Sequence, residues 1–331
     1  MLLWILFFVL IGTALALDLG VFHKNPESIN AKEATGWSII WITLSLLFSI
    51  VVYFAYEDDW SGIRELSGSF ISGSDAVVLY LSGYLLELSL SLDNIFVMAM
   101  IFAYFKVPAA NQHRVLFWGI MGALVFRAFM IFAGVALIQR FDWLIYVFGA
   151  FLIYVALKMW TSRDEEAMDL QNNRVLRWLR NYLPVTRHFH GEQFFLRRRN
   201  ILMATPLFLT LVMIELTDIL FALDSIPAIF SITTDPFLIF TSNIFAILGL
   251  RSMYFMLAAV LDRFRFLKYS VIGILLFVGL KMVSHGFIHM AGWVSLVFIG
   301  GALLAGVIVS LLHQENSMDD DDQESMQIPP V

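Results

Sequence analysis

Nine long apolar stretches, separated by charged, Gly-rich or Pro-rich boundaries, dominate the pattern of this chain. Their approximate limits are 2–22, 37–56, 77–105, 116–138, 143–160, 201–232, 237–261, 267–283 and 293–312. A helix that crosses a bilayer needs about 20 mostly apolar residues, and each stretch is near or above that length. We therefore predict an all-α fold, a polytopic transmembrane helical bundle of about nine helices.

The composition agrees with a membrane protein. Of the 331 residues, 60% are hydrophobic and 15% charged, which excludes an ordinary soluble globular domain. The chain contains no cysteine, so disulfides and thiolate metal ligands are excluded. Its histidines lie in loops or at the ends of the apolar stretches. Oxygen atoms are therefore the only metal ligands that the sequence offers at mid-membrane.

Lysine and arginine are distributed unevenly between the two sides of the predicted bundle. One side has basic residues at 24, 32, 106, 114, 263, 265 and 268 and eight arginines between Arg163 and Arg199. The other side has only Arg64 and Arg140. Because basic residues favour cytoplasmic loops, we expect a protein of the cytoplasmic (inner) membrane, its N-terminus outside and its C-terminus in the cytoplasm.

The chain contains an internal repeat. An offset of 131 residues aligns three pairs of polar residues: Glu87 with Asp218, Asp93 with Asp224, and Asn94 with Ser225. An offset of 124 residues then aligns Arg127 with Arg251. Each unit has three predicted helices, an odd number, so the two units enter the membrane from opposite sides. Inverted three-helix repeats are typical of transporters that hold their substrate at the repeat interface near the midplane.

The repeat divides the chain into six parts. They are two N-terminal helices and an outer loop (1–76), the first repeat (77–160), an Arg-rich cytoplasmic loop (161–200), the second repeat (201–287), the last helix (288–313) and an acidic tail predicted to be disordered (314–331). The arginines of the loop favour a linker held near anionic lipid. Nucleic-acid binding is the weaker alternative, and we expect no nucleic-acid partner.

Two of the apolar stretches carry acidic residues at bilayer depth. Ionised groups there cost about 3 kcal/mol or more each on insertion scales, so they usually face a cavity and bind or relay an ion. Carboxylate, amide and hydroxyl oxygens suit hard divalent cations such as Mn²⁺, Mg²⁺ or Ca²⁺, among which the pattern does not choose. The predicted metal ligands are Glu87, Asp93, Asn94, Glu215, Asp218, Asp224 and Ser225.

Helical geometry limits how these acids can act together. Residues seven apart differ by about 20° around a helix axis, so Glu87 shares a face with Asn94, and the second unit repeats this arrangement. Asp93 and Asp224 each lie about 120° from the acid six residues earlier. Either the helices break locally, which Pro227 permits, or each acid serves a different part of the path.

Each acid has a structural alternative, an ion pair with Arg127 or Arg251 in the following helices. For these two arginines, pairing or gating is favoured over direct contact with substrate. Paired intramembrane aspartates also occur in membrane-embedded proteases, but the chain lacks the Gly-x-Gly-Asp motif of those enzymes. We therefore do not expect an enzyme.

The segments 87–97 and 214–230 strongly resemble the two signature stretches of the TerC/Alx family of multi-pass membrane proteins, within the wider group of LysE-like transporters. The resemblance covers roughly residues 37–312. It implies export of Mn²⁺ from the cytoplasm and a historical association with tellurium (tellurite) resistance. It also implies that six residues line the metal path: Glu87, Asp93, Asn94, Glu215, Asp218 and Asp224.

The sequence thus favours a secondary transporter that exports a divalent metal, Mn²⁺ above all, with proton coupling left open. Mn²⁺ is then the transported substrate, and no prosthetic group is expected. One alternative is a membrane partner protein that supplies metal to exported proteins, associated with a secretion channel or membrane chaperone. The other is a LysE-like amino-acid exporter, in which the arginines bind the substrate carboxylate. The excess of intramembrane acids over arginines favours a metal.

Overall fold

The structure is a computed structural model that describes residues 2–22, 31–67, 70–141, 143–161, 184–186, 188–198, 201–257, 267–284, 287 and 290–325. Its elements are α1 Leu2–Phe22, α2 Ala31–Glu57, a short 3₁₀ turn Trp60–Gly62, α3 Ile63–Ser67, α4 Gly73–Phe105, α5 Ala109–Arg140, α6 Leu144–Thr161, β1 Phe195–Arg198, β2 Ile201–Ala204, α7 Pro206–Phe230, α8 Pro236–Leu257, α9 Leu267–Val283 and α10 Gly292–Ser325.

The prediction of an all-α, polytopic helical bundle is confirmed. Each of the nine predicted apolar stretches contains a helix, and seven helices are long and apolar enough to cross a membrane: α2, α4, α5, α6, α7, α8 and α10. Of the other two, α9 has 17 residues and α1 contributes the shorter apolar segment Leu3–Leu15. The count of nine crossings and the inverted arrangement of the repeats stay predictions.

Helix boundaries differ by a few residues from the sequence prediction at most ends, and at two of them the kind of structure differs as well. The predicted span from 201 starts with strand β2, which pairs antiparallel with β1, and α7 begins only at Pro206, a favourable first helical residue. Helix α10 continues to Ser325, into the tail predicted to be disordered. Once a helix has formed, each further residue adds one backbone hydrogen bond, and this favours the continuation of α10 beyond its apolar stretch. The remaining tail, 326–331, lies outside the described residues.

The two helices that carry the acids are continuous. Helix α4 is capped at its start by Ser72, whose Oγ accepts the backbone N–H of Asp75, and at its end by Lys106, which has a left-handed conformation. Its 33 residues span about 50 Å, more than the ~30 Å of a hydrocarbon core. Helix α7 passes through Pro227 without ending. The local break that the sequence permitted is therefore absent from both helices. The alternative that remains is that each acid serves a different part of the path.

The helices of the two predicted repeats pack against each other in matching pairs. Helix α4 of the first repeat packs on α8 of the second, and α5 packs on α7 in the same way. The third helices, α6 and α9, pack together at Gly149 and Gly279, where an added Cβ would lie 2.9 Å from the backbone oxygen of the other glycine. Small residues at such crossings allow close approach of the backbones. The first helices, α4 and α7, also meet, which brings their acids to one place.

Helix α8 lies in the interior of the bundle, because its whole apolar segment is buried. Its start is fixed by Asp235, whose Oδ1 accepts the backbone N–H groups of Phe237 and Leu238 at 2.9 and 3.3 Å. The other oxygen, Oδ2, accepts the hydroxyl proton of Tyr56 in α2 at 2.6 Å. The N-cap of the central helix is thus also its link to α2.

Candidate functional site

The centre of the bundle contains a buried ion-pair network around Arg127 of α5. Its Nη1 donates a hydrogen bond to Oε1 of Glu87 in α4. Its Nη2 donates to Oδ1 of Asp218 in α7 at 3.0 Å, and its Nε donates a longer bond to Oδ2 at 3.4 Å. One guanidinium therefore joins acids from two different helices.

Asn94 completes this network. Its Nδ2 donates to Oδ1 of Asp218 at 3.3 Å, as its position seven residues after Glu87 in α4 allows. We call Glu87, Asn94, Arg127 and Asp218 the central cluster; all four are nearly inaccessible, at 1, 3, 1 and 4% exposure. One arginine and two acids leave the cluster with an excess of negative charge when all are ionised. Removing one partner from such a buried pair costs about 3–5 kcal/mol.

Several buried oxygens near these acids in α4 and α7 have no hydrogen-bond partner among the residues described. They are Oε2 of Glu87, Oγ of Ser89, Oγ of Ser91, Oδ1 of Asn94 and Oγ of Ser225. Leaving a buried polar group unsatisfied costs about 1–3 kcal/mol, and native proteins have few such groups. Four of these five oxygens belong to α4, and such a concentration is the pattern expected where water or a cation enters.

Glu215 lies one turn before Asp218 in α7, and its charge interacts with that of Asp218. Its carboxylate rests against Gly122 of α5, because a Cβ added to that glycine would collide with the carboxylate oxygens. The sequence analysis did not predict that Gly122 leaves space for this carboxylate, although a difference between the two repeats pointed to the position. Glu215 has no acidic counterpart in the first repeat, where Tyr84 occupies its position, so the surroundings of this site differ between the two units.

Asp224 lies outside the hydrogen bonds of the central cluster. It is partly exposed, and its carboxylate interacts electrostatically with Lys158 of α6. This placement follows from the helix geometry, since Asp224 is turned about 120° away from Asp218 on a continuous helix. Lys281, which matches Lys158 in the repeat, is buried and donates from Nζ to Oγ of Ser295 in α10 at 2.8 Å.

The structure thus brings together three of the seven predicted ligands, Glu87, Asn94 and Asp218, and places Arg127 between the two acids. Ser225 is buried in α7 and Arg251 in α8. Asp93 belongs to α4, but its side chain lies outside the described part of the structure. Among the side chains that are described, no three His, Asp or Glu residues gather closely enough to form a metal centre by themselves. The ligand assignment stays a prediction.

Long apolar helices around a buried ionic cluster define an integral multi-pass membrane protein with charged groups buried inside its helical bundle. The chain belongs to the TerC family, because the profile of the integral membrane protein TerC family matches residues 72–318. The family resemblance inferred from the acidic motifs is thereby confirmed.

Individual relatives match almost the whole chain. An uncharacterized membrane protein of Myxococcus xanthus is 46% identical over 319 residues, which cover 96% of this chain and 95% of the relative. A protein of Escherichia coli K12, named "Putative membrane-bound redox modulator Alx", is 44% identical over 310 residues, 93% of this chain and 94% of the relative. No solved structure matches the chain.

Proposed function

We propose that this protein is a secondary transporter that exports a divalent metal, above all Mn²⁺, from the cytoplasm. The observation that carries the proposal is the meeting of Glu87 and Asp218 at Arg127, on two helices that also carry buried oxygens without partners among the described residues. The two acids come from the first helices of the two predicted repeats. A site at that interface serves alternating access.

The donor chemistry supports a hard cation. The central cluster offers carboxylate and amide oxygens, and the serines of α4 and α7 offer hydroxyl oxygens; Mn²⁺, Mg²⁺ and Ca²⁺ share these ligands. In this structure the guanidinium of Arg127 occupies the place between the two carboxylates. An entering cation competes with Arg127 for the same oxygens, and release of the cation restores the ion pairs. The arginine thus keeps the acids paired when no metal is bound.

A transport function also fits the composition better than thiol redox chemistry does. The name of the Escherichia coli relative describes a redox modulator. None of the 331 residues in this sequence is cysteine, so these residues supply no thiol for electron transfer or disulfide exchange. A change of metal content in the cytoplasm would alter redox enzymes indirectly, without redox chemistry in the transporter.

Flux into inside-out membrane vesicles tests the proposal, because export from the cytoplasm then appears as uptake. We expect vesicles with the wild-type protein to take up Mn²⁺, and vesicles with Asp218→Asn to lose most of that uptake. Glu33→Gln is the matched control, since Glu33 is an exposed acid in the first turn of α2. Equal amounts of protein in each preparation are verified by immunoblotting.

Each outcome has a consequence for the proposal. Uptake that survives Asp218→Asn would reduce the central cluster to a structural ion pair. No uptake by the wild type would contradict export and favour a partner protein, which copurification with a secretion channel or membrane chaperone would then identify. Repeating the assay at two external pH values tests proton coupling, and Asp224→Asn tests whether the acid beside Lys158 takes part in the path.

A further inference from the structure

The two acids of the central cluster accept different numbers of hydrogen bonds. Asp218 accepts three hydrogen bonds, two from Arg127 and one from Asn94. Glu87 accepts one, from Arg127, through Oε1. The second oxygen of Glu87, Oε2, is buried and has no partner within the described residues. The hydrogen bonds of the cluster are therefore distributed unequally between the two repeat-related acids.

The repeat predicts a second arrangement of these hydrogen bonds, the exchanged arrangement, in which repeat-related residues swap roles. It exchanges Glu87 with Asp218, Asn94 with Ser225, and Arg127 with Arg251. The two bonds from Arg127 to Asp218 then become two bonds from Arg251 to Glu87, and the bond from Asn94 becomes a bond from Ser225. Two atoms that the present arrangement leaves without a partner in the described chain, Oε2 of Glu87 and Oγ of Ser225, are the atoms that the exchanged arrangement uses.

Helix packing supports this exchange. Arg127 reaches Asp218 because its helix, α5, packs on α7. In the matching pair, α8 packs on α4, so the helix that carries Arg251 lies against the helix that carries Glu87. Arg251 is also buried, at 5% exposure, as expected of a side chain that faces the bundle interior.

We propose that Arg251 is a second positioning residue. It replaces Arg127 as the hydrogen-bond donor to Glu87 and Asp218 when the protein opens to the other side of the membrane. The inference rests on the proposed transport function, because only a protein that alternates needs both arrangements. Each acid keeps an arginine partner in either state, so no carboxylate is left uncompensated at bilayer depth. Between the two states the acids are released from one arginine and become available to a cation.

Thiol labelling of the full chain in vesicles can detect the exchange, because the chain has no cysteine of its own. Ser91→Cys and Ala222→Cys place reporters at buried, repeat-related positions, each four residues after Glu87 or Asp218 and so on the same helix face. Inverted repeats put the two reporters on opposite sides of the midplane. The ratio of their rates of reaction with N-ethylmaleimide therefore reports which side is open.

We expect Arg127→Gln and Arg251→Gln to shift this ratio in opposite directions. The change should be about tenfold or more, because each hydrogen bond to a charged group contributes more than the ~1.4 kcal/mol that a factor of ten represents. Arg140→Gln, at the exposed end of α5, should leave the ratio unchanged. Shifts in the same direction, or no shift, would overturn the exchange.

Uncharged variants keep the test decisive if the arginine variants do not fold. Asn94→Ala removes a bond of the present arrangement and should shift the ratio as Arg127→Gln does. Ser225→Ala removes a donor of the exchanged arrangement and should shift it the other way, and equal shifts would contradict the exchange. The labelling needs no Mn²⁺, so opposite shifts in a protein without Mn²⁺ uptake would refute the proposed substrate and leave the exchange standing.

Discussion

Tyr56→Phe tests whether the hydrogen bond between α2 and the start of α8 holds the central helix in place. The hydroxyl of Tyr56 donates to Oδ2 of Asp235 at 2.6 Å, and both side chains are fully buried. A hydrogen bond to a charged group contributes about 1.5–3 kcal/mol. Since Phe keeps the ring and removes only the oxygen, we expect a loss of that size in the free energy of unfolding.

Asp235→Ala should cost more than Tyr56→Phe, because it also removes the N-cap of α8. The N–H groups of Phe237 and Leu238 lose their acceptor, which adds about 1 kcal/mol. If the bond causes the loss, Tyr56→Phe should have little further effect in the Asp235→Ala protein. The coupling energy of this double-mutant cycle should therefore approach the full effect of Tyr56→Phe.

Denaturant or thermal unfolding of the purified protein in detergent measures these differences. A loss of 1 kcal/mol lowers the midpoint by roughly 2–4 °C in a domain of 150–250 residues. Tyr53→Phe is the control, because Tyr53 lies one turn earlier in the same helix and is partly exposed; its effect should stay within about 0.5 kcal/mol. Additive losses from the two substitutions, with no coupling, would refute the reasoning.

Three further predictions concern packing, the site and orientation. Gly149→Ala should destabilise the protein by about 1–3 kcal/mol, since the new Cβ meets a backbone oxygen, whereas Gly273→Ala has open space and should be neutral or slightly stabilising in the same unfolding assay. Gly122→Ala should displace the carboxylate of Glu215 and lower Mn²⁺ uptake with little loss of folded protein, which size-exclusion chromatography verifies. A fluorescent-protein fusion at the C-terminus should fluoresce and an alkaline phosphatase fusion there should be inactive; the reverse would contradict the proposed orientation.

The central cluster also explains why acidic residues survive in such apolar helices. Each described acid in it has a cationic partner, which offsets the cost of a charge at bilayer depth. The two interpretations of these acids, ligand and structural ion pair, are therefore not exclusive. A carboxylate that pairs with Arg127 in one state can bind a cation in another, provided that the arginine gives way.

The sequence alone was sufficient to predict the class of fold. Apolar length and charged boundaries predicted a helix in every place where the structure has a long one, because backbone groups in lipid must be satisfied within the helix. The same pattern could not separate strand β2 from α7, since both are apolar and Pro206 marks the boundary only in retrospect. The acids themselves were visible because charge is rare in such segments.

The tertiary structure decided which groups meet. Arg127 is separated from Glu87 by 40 residues and from Asp218 by 91, and local sequence patterns carry no information about contacts over such distances. The collision between the carboxylate of Glu215 and any side chain larger than that of Gly122 depends likewise on how α5 crosses α7. Above all, the repeat makes Arg127 and Arg251 equivalent in sequence. The packing of the helices breaks that equivalence, because it places Arg127 between the two acids.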